Sequence, residues 1–404
     1  MNIDTLFAQK FGGGAFLEAL LASAREGHLC LQVGEEVFPS FGERDEEIRK
    51  LATPIRGVVV QKNERFYLKR NWELEQRFLH HFKRLLAQEV EALQVEDDPS
   101  LDPEQMEAVR TALCHPLTLI SGGPGTGKSF TATKIIENFK GSVAVAAPTG
   151  KAAANLRHLD CPVKTLHSLL SKRLYYDLVV VDEGSMIDAE LMTKLFAAVQ
   201  GRLVILGDRD QLPPIATGHF FSDLTTIAPC CYLNKCHRAE LQEIVDIAKA
   251  VKEGKSVPYE PLENFKEKPD DVTLLTPLRK GPYGVERLNE RFYKPGRVPI
   301  MITENAQGLV NGETGWLEEG QTSWGMPESM LPKYEYAYAL SVHKSQGSEY
   351  DRVWLLLPPG SERFGREMLY TAITRARKEI RIFAAENVLE QCVERLTQRV
   401  SLST

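Results

Sequence analysis

The chain has 404 residues, 43% of them hydrophobic and 26% charged, with a formal net charge of −6. That length accommodates two or three domains with a substantial core, and the charge excludes a globally basic nucleic-acid binder, so any DNA contact needs a local patch. Seven cysteines without framework spacing suit a reducing, cytoplasmic setting. No apolar run approaches membrane-spanning length, and the start shows no secretory signal pattern.

Residues 1–96 read as helical around Ala15–Arg25 and Trp72–Gln88, with strand-like pieces at Leu29–Val33 and Arg65–Lys69. They carry no catalytic constellation. The acidic, turn-prone stretch Glu96-Asp97-Asp98-Pro99-Ser100 reads as a linker. Beyond it, apolar strands alternate with amphipathic helices. Leu117–Ser121, Ser142–Ala147, Leu178–Asp182 and Leu203–Gly207 form one set. Val272–Thr276, Val298–Ile302, Val353–Leu357 and Ile380–Ala384 form a second. Nearly continuous apolar strands between helices predict parallel α/β sheets, and two sets predict two lobes.

The chemistry starts at Gly122-Gly123-Pro124-Gly125-Thr126-Gly127-Lys128-Ser129, between a strand and the helical pattern Thr131–Phe139, with Phe130 counted among the nucleotide-binding residues. In that context the glycines let backbone N–H groups cradle phosphate, Lys128 reaches the β- and γ-phosphates, and Ser129 offers a hydroxyl to Mg²⁺. Asp182 and Glu183 end a buried strand, where ligands sit in such sheets. Asp182 is placed to hold Mg²⁺ and Glu183 to deprotonate water, the two pointing opposite ways along the pleat. Gln211, after Leu203–Gly207, reads either as a γ-phosphate sensor or as part of a proline-stopped loop. Cys230, Cys231, Cys236 and His237 crowd together but fit no standard metal spacing, so small buried cysteines beside a strand are the expectation.

The motifs GGPGTGKS (122–129), APTGKAA (147–153), VVVDEGSMID (179–188) and LGDRDQLPP (206–214) together resemble the superfamily 1 helicases. Adding TLHSLL (165–170), HR (237–238), SVHKSQGSEYD (341–351) and LYTAITRAR (369–377), the chain is similar to the RecD family, subunits of exodeoxyribonuclease V. GHLCL (27–31) and RFYLKRNWELE (65–75) extend the likeness into the N-terminal region.

The resemblance implies two RecA-like parallel-sheet lobes of the P-loop NTPase type, at 97–235 and 236–404. A small, mostly helical N-terminal domain (1–96) precedes them and docks on a partner. It implies ATP and Mg²⁺ as cofactors, Gln105 as the adenine reader, and Gly347 and Glu349 at the nucleotide face. Gln346 is expected there too. Arg238 and Arg375 would reach the γ-phosphate from the second lobe, although most arginines are surface or salt-bridging residues. Thr149, Lys151, Thr165, His167, His343, Lys344 and Ser345 would contact single-stranded DNA; a lone histidine such as His167 is equally well explained as structural. Phe221 and Tyr283 are candidate stacking aromatics but fit core packing better.

Two departures from the family pattern stand out. The gap from His167 to Asp182 is too short for a strand-splitting pin, and the insertion near 303–336 is reduced. Both predict a translocase that leans on RecB- and RecC-like partners to split duplex; the resemblance alone implies 5′→3′ polarity and a nuclease in another subunit. The other classes left open are a stand-alone helicase of phage or repair type and a nucleotide-bound regulatory subunit without motor activity.

Overall fold

The computed structural model describes residues 3–237, 242–396 and 402. At the N-terminal end, helices Ile3–Phe11, Gly14–Arg25 and Asp45–Leu51 accompany an antiparallel sheet of β1 (Leu31–Val33), β2 (Val37–Phe38), β3 (Val59–Lys62) and β4 (Arg65–Leu68), in the order β2-β1-β4-β3. Helix Lys69–Leu86 follows β4 directly and joins the next lobe instead. Its Phe78 ring lies 5.0 Å from Phe196 and 4.3 Å from Phe220. Arg84 donates to the carbonyls of Phe196 and Val199 at 2.7 Å each. The linker near residue 96 is present as extended chain, yet one hydrophobic core runs across it.

The first lobe is a six-stranded sheet of β5 (Leu117–Gly122), β6 (Val143–Ala147), β7 (Val163–Thr165), β8 (Leu178–Val181), β9 (Arg202–Gly207) and β10 (Cys230–Leu233), ordered β10-β5-β9-β8-β6-β7. Every pairing in it is parallel. β5, β8 and β9 are buried at every position, as strands covered on both faces must be.

The second lobe starts with β11 (Glu260–Pro261) and β12 (Val272–Thr276). The chain then leaves for β13 (Val298–Ile302), β14 (Thr314–Glu318), β15 (Gln321–Thr322) and β16 (Tyr334–Tyr336), and returns as β17 (Ala339–Ser341), β18 (Tyr350–Leu357) and β19 (Ala376–Ala384). The lobe sheet, β11-β19-β18-β12-β17, is parallel throughout. β13 belongs elsewhere: it pairs antiparallel with β14 and β16 in the inserted sheet, so the expectation that grouped Val298–Ile302 with the parallel strands is corrected. Val298 and Ile300 pack in the inserted sheet's own cluster while Met301 packs against the lobe core. Burial on both faces gives an antiparallel strand the unbroken apolar run of a parallel one.

The lobes meet along the segment after β9. Tyr370 donates to Asp208 Oδ2 at 2.8 Å, the Leu212 amide donates to Thr371 Oγ1 at 2.7 Å, and Gln346 Nε2 donates to the Leu212 carbonyl at 3.1 Å. Lys252 pairs with Asp210 across the same seam. No helix among the described residues is long and apolar enough to cross a membrane.

Candidate active site and nucleic-acid groove

The loop from β5 into helix Lys128–Asn138 is built to stay open at its centre. Gly127 has φ +80°, and a Cβ there would stand 2.4 Å from Gln105 Nε2, so only glycine fits. Thr126 Oγ1 closes the turn onto the Gly123 carbonyl at 2.8 Å, and Lys128 Nζ donates to the carbonyls of Gly122 and Gly123 at 2.6 and 3.0 Å. Gln105 supports the loop from behind. With Asp102 it completes a capping box on helix Pro103–Cys114, and its Nε2 donates to the Thr126 carbonyl at 3.1 Å. It is buried, and its side-chain amide bonds to the loop.

A cavity of about 620 Å³ opens above the loop, between the lobes. From the first lobe it is lined by Gly123 to Phe130, Asp182, Glu183 and Gln211, and from the second by Gly347, Ser348, Glu349, Arg375 and Arg377. β8 ends at Val181 and Glu183 turns left-handed at φ +54°, a costly conformation for a residue with a side chain. The expected pleated alternation is thereby corrected: both carboxylates face one cavity. Burial raises both carboxyl groups above the ordinary range. The Glu183 amide and Lys128 oppose this at Asp182. At Glu183 the Asp182 charge adds to it, while Arg375 and Lys128 pull the other way. Buried Asp208 is likewise pushed up by desolvation, with Lys128 opposing. Gln211 Nε2 lies 3.5 Å from Asp208 Oδ2, while its Oε1 finds no hydrogen-bond partner among the described residues.

Arg375 is only 4% exposed. Its guanidinium donates to the carbonyls of Thr371 and Ser348 at 3.1 Å each and to Thr374 Oγ1 at 3.2 Å. Arg238 lies outside the described residues. Gln346, expected at the nucleotide face, sits on the lobe seam and lines a different cavity.

That second cavity, about 290 Å³, gathers Thr149, Lys151, Thr165, His167, His343 and Lys344. Thr149 and Thr165 are also N-caps, accepting from the amides of Ala152 and Ser168. Lys151 lies 3.5 Å from Thr314 Oγ1 on the inserted sheet, and burial lowers its pKa. Lys344 pairs with Glu335 at 2.8 Å. Ser345 is the exception: fully buried, it donates to the Val342 carbonyl at 2.7 Å and does not line the groove. Phe221 is in the first lobe's core, and Tyr283 packs on a cluster around Phe265. Cys230 and Cys231 lie on β10, and burial pushes the Cys230 thiol up to about 11.

Sequence reasoning missed three participants. Tyr370 and Asp208 join the lobes inside quoted motifs whose other residues drew the attention. His237, quoted in the HR motif and set aside as a metal ligand but given no role at the nucleotide, lines the nucleotide cavity. Its amide donates to the Gly125 carbonyl at 2.9 Å and its ring meets Asp102 Oδ2 at 2.6 Å.

The chain matches the AAA domain family over residues 100–269 and the UvrD-like helicase C-terminal domain over residues 336–383. It is 30% identical over 411 residues to the RecBCD enzyme subunit RecD of Mycolicibacterium smegmatis, covering 74% of each chain. It is 29% identical over 371 residues to the ATP-dependent RecD2 DNA helicase of Deinococcus radiodurans, covering 75% of this chain and 52% of that one. Among solved structures, Bacteroides Pif1 bound to single-stranded DNA shares the fold at a TM-score of 0.51 and 18% identity, over 72% of this chain and 94% of that one. At the identity and span shared with the mycobacterial protein, the chain belongs to the RecD family of superfamily 1 ATP-dependent DNA helicases.

Proposed function

We propose that this chain is the 5′→3′ single-stranded DNA motor of a RecBCD-like assembly that processes double-strand breaks in the cytoplasm. The observation that carries the motor is the shared cavity: Lys128, Asp182, Glu183 and Gln211 from one lobe and Arg375 from the other line the same space. ATP would lie there with its phosphates on the amides of the 122–129 loop. Glu183 would take the proton of the attacking water and Arg375 would neutralise charge on the transferring phosphoryl group. Closure of the lobes then assembles the catalyst, and hydrolysis releases it.

The donors present fit Mg²⁺. The Ser129 hydroxyl and the Asp182 carboxylate are hard oxygen ligands, and the unpartnered Gln211 Oε1 leaves a further acceptor in the same cavity. When bound, the ion would neutralise the developing phosphate charge.

Single-stranded DNA would cross the groove at Thr149, Lys151, Thr165, His167, His343 and Lys344. Only 171–177 separate helix Leu166–Leu170 from β8, which leaves no room for a splitting pin. Duplex separation would therefore fall to RecB- and RecC-like subunits. Ile3, Leu6, Phe7 and Phe11 expose one apolar face of the first helix, and we place the partner contact there. The partners and polarity rest on the family relationship, the mycobacterial relative being a RecBCD subunit. The Deinococcus relative, a RecD2 helicase, supports a stand-alone second reading.

The test is native mass of the purified complex, together with ATPase on 5′- and 3′-tailed DNA. A lone chain stimulated only by 3′ tails would sink the proposal. Lys128→Gln should abolish hydrolysis, and persistent turnover would place the site elsewhere.

A further inference from the structure

Beside the groove lies a cavity of about 800 Å³, within the ~300–1,000 Å³ typical of ligand pockets. The loop through Lys280–Gly284 leads into one of its walls, helix Val285–Phe292. Tyr293 follows that helix and Tyr336 ends β16. Their ring centroids are 5.2 Å apart at 35°, and they remain 45% and 39% exposed. Two adjacent, half-open aromatic faces are an unusual expense for a soluble surface unless something covers them. His343 and Lys344 line this cavity and the groove alike, so the two adjoin at these side chains.

The charges decide what enters. Arg279 is paired with Glu286 at 2.7 Å and Lys344 with Glu335 at 2.8 Å. Each lining cation is thus matched by a carboxylate, and a phosphate moving inward would meet acidic groups. A neutral base would meet tyrosine faces, and stacking suits any base because each has a π-face. At the shared edge, a phosphate can replace Glu335 as the partner of Lys344.

We propose that this cavity is a base-accepting subsite: bases of the single strand stack on Tyr293 and Tyr336 while the adjoining phosphate displaces Glu335 from Lys344. The inference rests on the reading that single-stranded DNA occupies the groove.

The test uses the full chain and fluorescently labelled oligothymidylate, intact or carrying a movable block of abasic sites. Tyr293→Ala with Tyr336→Ala should weaken binding of intact strand about tenfold or more. Tyr336→Phe should retain binding, and Glu335→Gln should tighten it. Wild-type protein should show a weakening at one abasic register, and the double alanine variant should show none there. Equal losses on intact and abasic strands, or no loss on either, overturn the subsite. The abasic scan on wild-type protein decides the matter even if the alanine variants fold poorly. Failure of wild-type protein to bind any single strand would instead remove the parent reading.

Discussion

Arg375 is where structure and catalysis are hardest to separate, and Arg375→Lys separates them. The guanidinium is nearly inaccessible and makes three hydrogen bonds within its own lobe. Arg375→Ala leaves the Ser348 and Thr371 carbonyls without that donor and removes the positive charge opposing the burial of Glu183. Leaving those buried carbonyls without a donor costs about 1–3 kcal/mol of stability each, which would confuse any kinetic reading. Lysine keeps the charge and most of the stem but loses the planar fork. If the fork closes on the transferring phosphoryl group, Arg375→Lys lowers kcat by about 10³-fold, or about 4 kcal/mol at 1.36 kcal/mol per tenfold. Nucleotide affinity should change little. The assay pairs DNA-stimulated ATPase with equilibrium binding of a fluorescent ATP analogue, below the variant's melting temperature. A variant that binds nucleotide normally and turns over within a few fold of wild type would refute the assignment.

Further outcomes follow from particular residues. Burial holds the Asp182 and Glu183 carboxyl groups above their ordinary range. By the same shift, the ionised pair costs folding free energy once pH rises through the folded-state values, and not below the unfolded ones. Glu183→Gln should therefore raise Tm at about pH 7 and lose that gain near pH 4, and an unchanged difference across the range would contradict it. Tyr370→Phe deletes one oxygen from the lobe seam and leaves Asp208 short of a donor, a cost of about 1.5–3 kcal/mol. We expect more ATP consumed per nucleotide translocated along single-stranded DNA, and unchanged coupling would relegate the contact to packing. Deleting residues 1–96 should yield insoluble protein because helix Lys69–Leu86 is part of the first lobe's core. Ile3→Asp with Phe7→Asp should spare ATPase and abolish co-purification with a RecC-like subunit; retained co-purification would remove the docking face.

The central strands were legible because burial on both faces leaves little but Val, Leu, Ile and Ala, and β5, β6, β8 and β9 fall within a residue of their expected limits. β10 was not: Cys230 and Cys231 were expected beside a strand, and Cys230-Cys231-Tyr232-Leu233 lacks the β-branched run that marks one. β7 and β17, three residues each, are too short to show a period. The phosphate loop and the Asp-Glu pair could be placed because their spacing is local. That Gln105 braces the loop, that Ser345 is buried, and that Tyr370 reaches Asp208 depend on pairings between distant segments, which no local pattern carries.

The His237–Gly125 hydrogen bond has a mechanical consequence. The chain leaves the first lobe through β10, which runs alongside β5, and His237 then moors it to the loop that would hold phosphate. Asn234 is tied down one step earlier, its amide donating to Glu104 at 2.7 Å. The described end of the tether between the lobes is thus anchored on the glycine loop itself. A shift of that loop when product departs would pull on the second lobe at its root, as a crank pulls on a shaft, without any relay through the surrounding core.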